Sequence, residues 1–165
     1  MFRTHTCGEL TKKQEGKEVT LSGWVNSRRD HGGVIFIDLR DRYGMTQVTF
    51  DPKHSEEAWK TADKVRDEHV IKILGKVALR SKDMINPKLN TGEIEIKARN
   101  IEILNTSKTP PFQIAYIPGD EGSQIDSSKN VNEDLRLEYR FLDIRRKRML
   151  DNLEFRSDVI FFMRK

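Results

Sequence analysis

The sequence contains a single cysteine, Cys7, so no disulfide can form within the chain. Such scarcity is typical of proteins from a reducing compartment. Long apolar runs are also missing: the longest cover residues 34–37 and 159–163, far fewer than a bilayer span needs. The first ten residues lack the apolar stretch of a signal peptide. These absences predict a soluble cytoplasmic protein with no membrane partner.

Patterns of catalytic and metal-binding residues are missing as well. The four histidines show no metal-ligand spacing with Cys7. The glycines lack the spacing, and the following lysine, of a phosphate-binding loop. The serines, histidines and aspartates form no recognisable nucleophile set. The sequence therefore predicts neither a catalytic site nor a metal site within this chain.

Charge is abundant but nearly balanced. Lysine and arginine number 30, aspartate and glutamate 26, and the net charge is +4 over 165 residues. The basic excess is spread along the chain. It permits a polyanionic partner, but it is equally typical of a solvated protein surface.

Alternation of apolar and polar residues predicts five strands, at residues 18–25, 34–39, 45–50, 70–79 and 93–98. Between the third and fourth strands, residues 54–68 have the periodicity of an amphipathic helix, with Ser55 as its candidate N-cap. Five strands with a helix at this point are the plan of an OB-fold barrel. The chain is therefore expected to be mainly β.

Composition divides the chain into three parts. The OB-fold domain is expected over residues 1–104, and proline and glycine predict a linker or hinge over 105–131. Residues 132–165 return to helical periodicity. The last helix carries apolar Val159, Ile160 and Phe162 and has no capping residue, which favours the front part of a longer protein.

Strand alternation also predicts which side chains face outward. The three aliphatic residues of the second strand should face the core, so Phe36 lies on the opposite face. The same reasoning turns Gln47 outward with Met45, turns Glu95 outward, and turns Leu79 inward. The outer face of the second and third strands is where OB-folds hold oligonucleotides.

The chemistry of these residues suits single-stranded RNA. An exposed ring offers a base a stacking surface worth about 1–3 kcal/mol. Gln47 can donate and accept together, whereas Glu95 can only accept and therefore suits guanine. Arg28 and Arg29 can hold phosphates or a base edge. Each residue alone is ordinary, and a strand phenylalanine is as often packed as displayed; only their convergence favours the functional interpretation.

Three sequence strings carry a family resemblance: GWVNSRRDHGGVIFIDLRDRYGMTQVTFD, TGEIEI and EDLRLEYRFLDIRR. They resemble the N-terminal part of bacterial aspartyl-tRNA synthetases. The resemblance implies a homodimeric class II enzyme that uses ATP and magnesium to join aspartate to its tRNA, with an N-terminal barrel that binds the aspartate anticodon. It also implies that residues 132–165 are the truncated start of the catalytic domain, whose last helix begins the dimer-forming motif 1. The later ATP and aspartate motifs are absent, so this chain alone needs no cofactor and should not make aspartyl-adenylate.

The resemblance assigns roles to individual residues. Phe36 is similar to the ring that stacks on the central anticodon base, and Arg29 and Gln47 to that base's hydrogen-bond partners. Glu95 is similar to the acceptor for a guanine-type first base.

The same resemblance bears on five further positions. Arg80 and Asn86, near the loop between the fourth and fifth strands, are expected to be additional anticodon contacts. His31 is similar to enzymes that also aspartylate the asparagine tRNA, although those usually have a glycine near Asp83. Relaxed tRNA specificity is therefore a hypothesis. Ser27 stands where relatives often have a third arginine, so no contact is predicted there.

Two other functions remain open from the sequence. One is a free-standing OB-fold module that binds single strands or tRNA. The other is a structural or assembly domain whose outer face meets a protein. The unfinished last helix favours the synthetase over the first alternative.

Overall fold

The chain divides into two compact units, Met1–Thr109 and Pro110–Lys165. The computed structural model describes residues 2–114 and 131–165. Most of the predicted linker, at residues 115–130, therefore lies outside the described residues.

Five strands form the first unit and close into a barrel in the order β1-β2-β3-β5-β4. They are β1 (Glu18–His31), β2 (Val34–Arg40), β3 (Met45–Phe50), β4 (Val70–Leu79) and β5 (Ile94–Asn105). Neighbouring strands are antiparallel except β3 and β5, which are parallel. Helix α1 (Glu56–Asp63) lies between β3 and β4 in the chain. The predicted mainly-β, five-stranded OB-fold barrel is confirmed.

Two strands run well past their predicted ends. β1 continues to His31, and Gly32 and Gly33 make the turn into β2 with φ of 62° and 83°. Glycine adopts this conformation without a steric penalty. β5 continues to Asn105, the first residue of the predicted linker.

Helix α1 has the predicted cap but is shorter than predicted. The Ser55 hydroxyl accepts a hydrogen bond from the Ala58 N–H at 3.3 Å. The helix ends at Asp63 because the chain then turns back toward β1. Glu68, at a φ of 64°, donates its backbone N–H to the Val25 carbonyl oxygen at 2.8 Å.

The barrel interior is filled by the apolar residues that alternation assigns to it. The buried set is Val19, Leu21, Val25, Ile35, Ile37, Leu39, Val48, Phe50, Ile71, Ile73, Val77, Ile94, Ile96 and Ala98. Two assignments were wrong. Leu79 is 45% exposed at the end of β4, and Met45, expected outside, is buried. Thr91 donates its hydroxyl to the Met45 carbonyl oxygen, so the segment before β5 covers this end of β3.

The second unit contains three helices around a buried carboxylate. The helices are α2 (Glu133–Glu138), α3 (Arg140–Asp143) and α4 (Lys147–Met163). Asp143 accepts hydrogen bonds from Arg136, Arg140 and Arg146 at 3.0, 2.7 and 3.3 Å. No helix within residues 2–114 and 131–165 is long and apolar enough to span a membrane.

Candidate nucleic-acid interface

The strand register brings Phe36, Gln47 and Glu95 onto one surface of the barrel. Phe36 pairs with Thr49 across β2 and β3, and Gln47 pairs with Asp38. Val48 pairs with Ile96 in parallel register, so Gln47 and Glu95, one residue before each, are also neighbours. All these outward side chains are half-buried. We call this surface the outer face; its residues are Ser27, Arg29, Phe36, Asp38, Gln47, Thr49 and Glu95.

A β-bulge in β1 places Arg29 on the outer face. Strict alternation from buried Val25 would turn residue 29 inward. The register instead pairs Val25 and Ser27 with consecutive residues of β2, so Asn26 is an extra residue. One extra residue reverses the facing of every residue that follows it in the strand. Arg29 therefore lies outward, opposite Phe36.

Asp38 anchors Arg29 at one edge of its guanidinium. Arg29 Nη2 donates to both carboxylate oxygens of Asp38, at 3.0 and 2.9 Å, and the Ser27 hydroxyl donates to Oδ2 at 2.7 Å. These bonds use only Nη2 of a guanidinium group that has five N–H donors. The Arg29 side chain is 57% exposed, so its remaining donors can reach a ligand.

Thr49 orients the Glu95 carboxylate. The Thr49 hydroxyl donates to Glu95 Oε2 at 2.8 Å. An ionised carboxylate has about four lone-pair sites, so one such bond fixes the group without saturating it. Glu95 can therefore still accept paired donors from a base edge.

Arg80, which directly follows β4, lies close to the acidic side of the outer face. Its Nε donates to the Ile94 carbonyl oxygen at 2.8 Å. Nη2 is buried and has no hydrogen-bond partner within the described residues. Burial lowers the pKa of Arg80, while the charges of Glu95 and Asp38 oppose that shift. An unsatisfied buried donor costs about 1–3 kcal/mol.

Asn86 shapes the loop between β4 and β5. Its backbone N–H donates to the Gly92 carbonyl oxygen at 3.1 Å, and its side-chain Oδ1 accepts from the Lys88 N–H at 3.0 Å. A Cβ at Gly92 would lie 1.8 Å from the Asn86 carbonyl oxygen, so this close approach requires glycine. The structure gives Asn86 a local structural role, and its contact with RNA stays a prediction.

His31 and Asp83 are both exposed and lie in different segments of the barrel unit. His31 is the last residue of β1, and Asp83 lies in a short 3-10 helix, Lys82–Met84. No hydrogen bond or ion pair joins them within the described parts of the chain. Their connection with tRNA specificity stays a prediction.

Arg28 differs from its neighbour Arg29. Its Nη2 donates to Asp63 Oδ1 at 2.7 Å and its Nε to the Ala62 carbonyl oxygen at 3.3 Å. These bonds fasten α1 to the barrel. Of the two adjacent arginines to which the sequence gave a ligand role, only Arg29 belongs to the outer face.

Sequence reasoning missed the roles of Ser27, Asp38 and Thr49, which hold the ligand-facing side chains. Alternation puts Asp38 and Thr49 on the outer face, so their position beside Phe36 and Gln47 was a usable signal. Ser27 offered none, because its facing depends on the bulge. Across residues 2–114 and 131–165, no group of three or more His, Cys, Asp or Glu side chains could hold a metal ion.

Comparison with known proteins identifies the barrel. Residues 19–104, just over half of the chain, match a family model described as an OB-fold nucleic acid binding domain. The fold is also similar to that of the aspartyl tRNA synthetase from Entamoeba histolytica, with a TM-score of 0.73 and 24% identity. That similarity covers 90% of this chain and 34% of the other.

Two bacterial relatives match nearly the whole sequence. The chain is 51% identical over 159 residues to the aspartate–tRNA(Asp/Asn) ligase of Desulfatibacillum aliphaticivorans, which covers 96% of this chain and 25% of that protein. It is 50% identical over 157 residues to the aspartate–tRNA ligase of Enterococcus faecalis, which covers 95% and 25%. The chain thus spans about a quarter of the length of these relatives.

Proposed function

We propose that this chain, which belongs to the family of OB-fold nucleic acid binding domains, binds the anticodon of an aspartate tRNA through its outer face. The observation that carries the proposal is the strand register. It puts a half-buried ring, an amide and an acceptor carboxylate at adjacent positions, beside an anchored arginine. Similarity to bacterial aspartate–tRNA ligases over nearly the whole chain supports the choice of tRNA.

Glu95 is the group that selects guanine as the first anticodon base. Guanine presents two adjacent N–H donors on its Watson–Crick edge, and an ionised carboxylate can accept both. Thr49 holds Glu95 in one orientation, which reduces the entropy lost on binding. A base that presents an acceptor atom at this edge cannot form a hydrogen bond there, because neither that atom nor the ionised carboxylate carries a proton.

Phe36, Gln47 and Arg29 form the position for the central base. The ring of Phe36 supplies stacking, which every base can use, so it gives affinity more than choice. Gln47 offers one donor and one acceptor to the base edge. Arg29 adds a charged donor whose direction is set by Asp38. Arg80 supplies a further donor near Glu95, while Asn86 shapes the adjoining loop.

The whole protein of which this chain is part is proposed to be an aspartate–tRNA ligase of class II. It would use ATP and magnesium, act as a homodimer and work in the cytoplasm. The support is the identity of about 50% to the two ligases over their first quarter or so of length. The chain by itself is proposed to be inactive, and detectable aspartate-dependent pyrophosphate exchange would contradict this.

Aspartylation of the asparagine tRNA is a further proposal, based on His31. One relative is named for both tRNAs and another for aspartate tRNA alone, at 51% and 50% identity. Charging assays of the full enzyme with both tRNAs decide between them. If the full enzyme does not attach aspartate to the asparagine tRNA, this proposal is wrong, and the proposal of anticodon binding is unaffected.

Titration of the chain with anticodon stem-loop RNAs that differ at one base tests the anticodon proposal. We expect the tightest binding when the first base is guanine. Phe36→Ala should weaken binding by about 1–3 kcal/mol for every stem-loop, because stacking is tolerant of sequence. A loss below about 0.5 kcal/mol would place the ring outside a stacking contact.

The same titration separates the alternative functions. A free-standing single-strand module would bind these RNAs with little dependence on the anticodon sequence. A protein-binding domain would bind none of them. Arg28→Lys is the matched control, because Arg28 contacts α1 rather than the outer face, and it should leave RNA affinity unchanged.

A further inference from the structure

The outer face continues beyond Thr49 to two lysines. Thr49 pairs with Lys97 on β5, and Lys97 pairs with Lys76 on β4. Both lysines are exposed, whereas Ile96 and Ala98 on either side of Lys97 are buried. Phe36 pairs with Thr49 on its other side. A continuous outward row therefore leads from the ring to two ammonium groups.

The Lys97–Lys76 pair is electrostatically unfavourable as it stands. Like charges directly opposite each other on neighbouring strands destabilise a sheet. Within the described residues neither ammonium has an ion-pair partner. Glu95, two residues before Lys97 on the same face, accepts a hydrogen bond from Thr49 and forms no ion pair with Lys97.

Other basic residues on these strands are paired. Lys72 on β4 lies 3.1 Å from Glu102 on β5, and Arg99 on β5 lies 3.2 Å from Glu18 on β1. Glu18 is directly opposite Lys76 in the sheet, yet its carboxylate pairs with Arg99. The two unpaired lysines are thus those that continue the row from Phe36.

We propose that Lys97 and Lys76 bind the phosphodiester backbone of the RNA nucleotides that flank the anticodon bases. This inference rests on the proposed function of the outer face. An ammonium group is a point charge that suits phosphate. Contacts to phosphate position the strand without reading its sequence. A bound phosphate also relieves the repulsion between the two lysines. The pair therefore adds affinity and fixes the direction of the strand without adding base selectivity.

Charge-matched double variants test this assignment. Lys76→Gln with Lys97→Gln removes the two unpaired lysines. Lys60→Gln with Lys72→Gln removes the same net charge from lysines paired with Glu56 and Glu102. Each is titrated with an anticodon stem-loop RNA over a range of salt concentrations.

Counterion release sets the expected size of the effect. Each phosphate contact to single-stranded RNA contributes about 0.7 to the slope of log affinity against log salt. The first double variant should make the fall of log affinity with log salt shallower by about 1.4. If the variants bind alike at 1 M salt, this is a loss of about 25-fold in affinity at 0.1 M salt. The control should change the slope by less than half as much, since its lysines contact no phosphate.

A second arm identifies the ligand atoms. Stem-loops with neutral methylphosphonate linkages beside the anticodon should bind the native chain and the first double variant with the same affinity. If the native chain binds the RNA but both double variants behave alike, the lysine assignment is wrong while anticodon binding stands. If the native chain does not bind the RNA, the proposed function itself fails.

Discussion

Two of the arginine–carboxylate pairs in the barrel have similar geometry and different burial. Arg40 Nη2 lies 2.6 Å from Glu68 Oε1, with side chains 10% and 6% exposed. Arg29 Nη2 lies 2.9 Å from Asp38 Oδ2, with side chains 57% and 13% exposed. Arg29 lies in β1, the strand that contains the bulge, and Arg40 lies in β2, which pairs with β1. The buried arginine depends on its carboxylate partner, whereas the exposed arginine can be hydrated without it. The buried pair therefore belongs to the scaffold and the exposed pair to the ligand-binding surface.

The buried pair maintains the shape that the exposed pair needs. Arg40 Nη1 donates to Oδ1 of Asn26, the extra residue of the bulge, at 3.3 Å. Taking charges out of water is costly, so a buried arginine depends on its partners. Arg29 remains hydrated and can exchange water for RNA. A buried polar network thus holds the bulge, and the bulge turns Arg29 outward.

Breaking the buried pair should have the largest effect. Arg40→Ala removes the guanidinium that Glu68 binds and leaves a buried carboxylate without that charge. We expect the free energy of unfolding to fall by about 3–5 kcal/mol. Urea unfolding followed by tryptophan fluorescence measures it, because both tryptophans, Trp24 and Trp59, lie in the barrel unit.

The exposed pair supplies the control for this experiment. Arg29→Ala removes a guanidinium of the same kind from a surface pair, whose contribution is typically below about 1 kcal/mol. Stability should therefore be nearly unchanged while RNA affinity falls. Equal losses of stability in the two variants would remove the distinction between the pairs.

A third cluster, in the helical unit, extends the comparison to pH. Burial acts to raise the pKa of Asp143, but the hydrogen bond from Arg136 and the charges of Arg136, Arg146 and Arg140 outweigh it and hold the pKa below its ordinary value. A lowered folded-state pKa stabilises the fold above the unfolded-state pKa, about 3.9, and that contribution is lost as pH falls through the folded-state pKa.

Acid titration checks this sign. The Asp143 carboxyl resonance should titrate below the ordinary aspartate midpoint. The stability difference between the native chain and Asp143→Asn, of about 1–3 kcal/mol near neutral pH, should shrink in acid. A midpoint at or above the ordinary value would show that burial, not the arginines, dominates.

Much of the barrel could be predicted from alternation, because each buried strand face needs apolar residues at every second position. That rule located Phe36, Gln47 and Glu95 on one surface. It failed for Met45, which the segment before β5 covers, and for Leu79, which lies where β4 leaves the barrel.

The networks around the site were beyond the reach of sequence patterns. A bulge adds one residue without any characteristic residue type, so Asn26 gives no warning that the facing of Arg29 is reversed. Nor does an alternating pattern show which polar side chains bond to one another. Ser27 and Thr49 acquired their roles only from contacts across strands.

Asp38→Asn should have the smallest effect on stability and the most specific effect on binding. Asp38 fixes Arg29, but its negative charge also repels RNA. Removing the charge releases Arg29 and weakens the repulsion, and these two changes oppose each other in affinity. Their effects on selectivity between bases do not cancel, because a loosely held Arg29 can contact different bases equally well.

We therefore expect Asp38→Asn to change stability by less than about 1 kcal/mol and total affinity only a few-fold, while reducing discrimination between stem-loops that differ at the central base by about tenfold. Fluorescence anisotropy with matched stem-loops measures both quantities. Asp63→Asn is the control, since Asp63 pairs with Arg28 away from the outer face; it removes the same charge and should leave discrimination intact. If both variants lose discrimination equally, the effect comes from net charge, and Asp38 does not position Arg29.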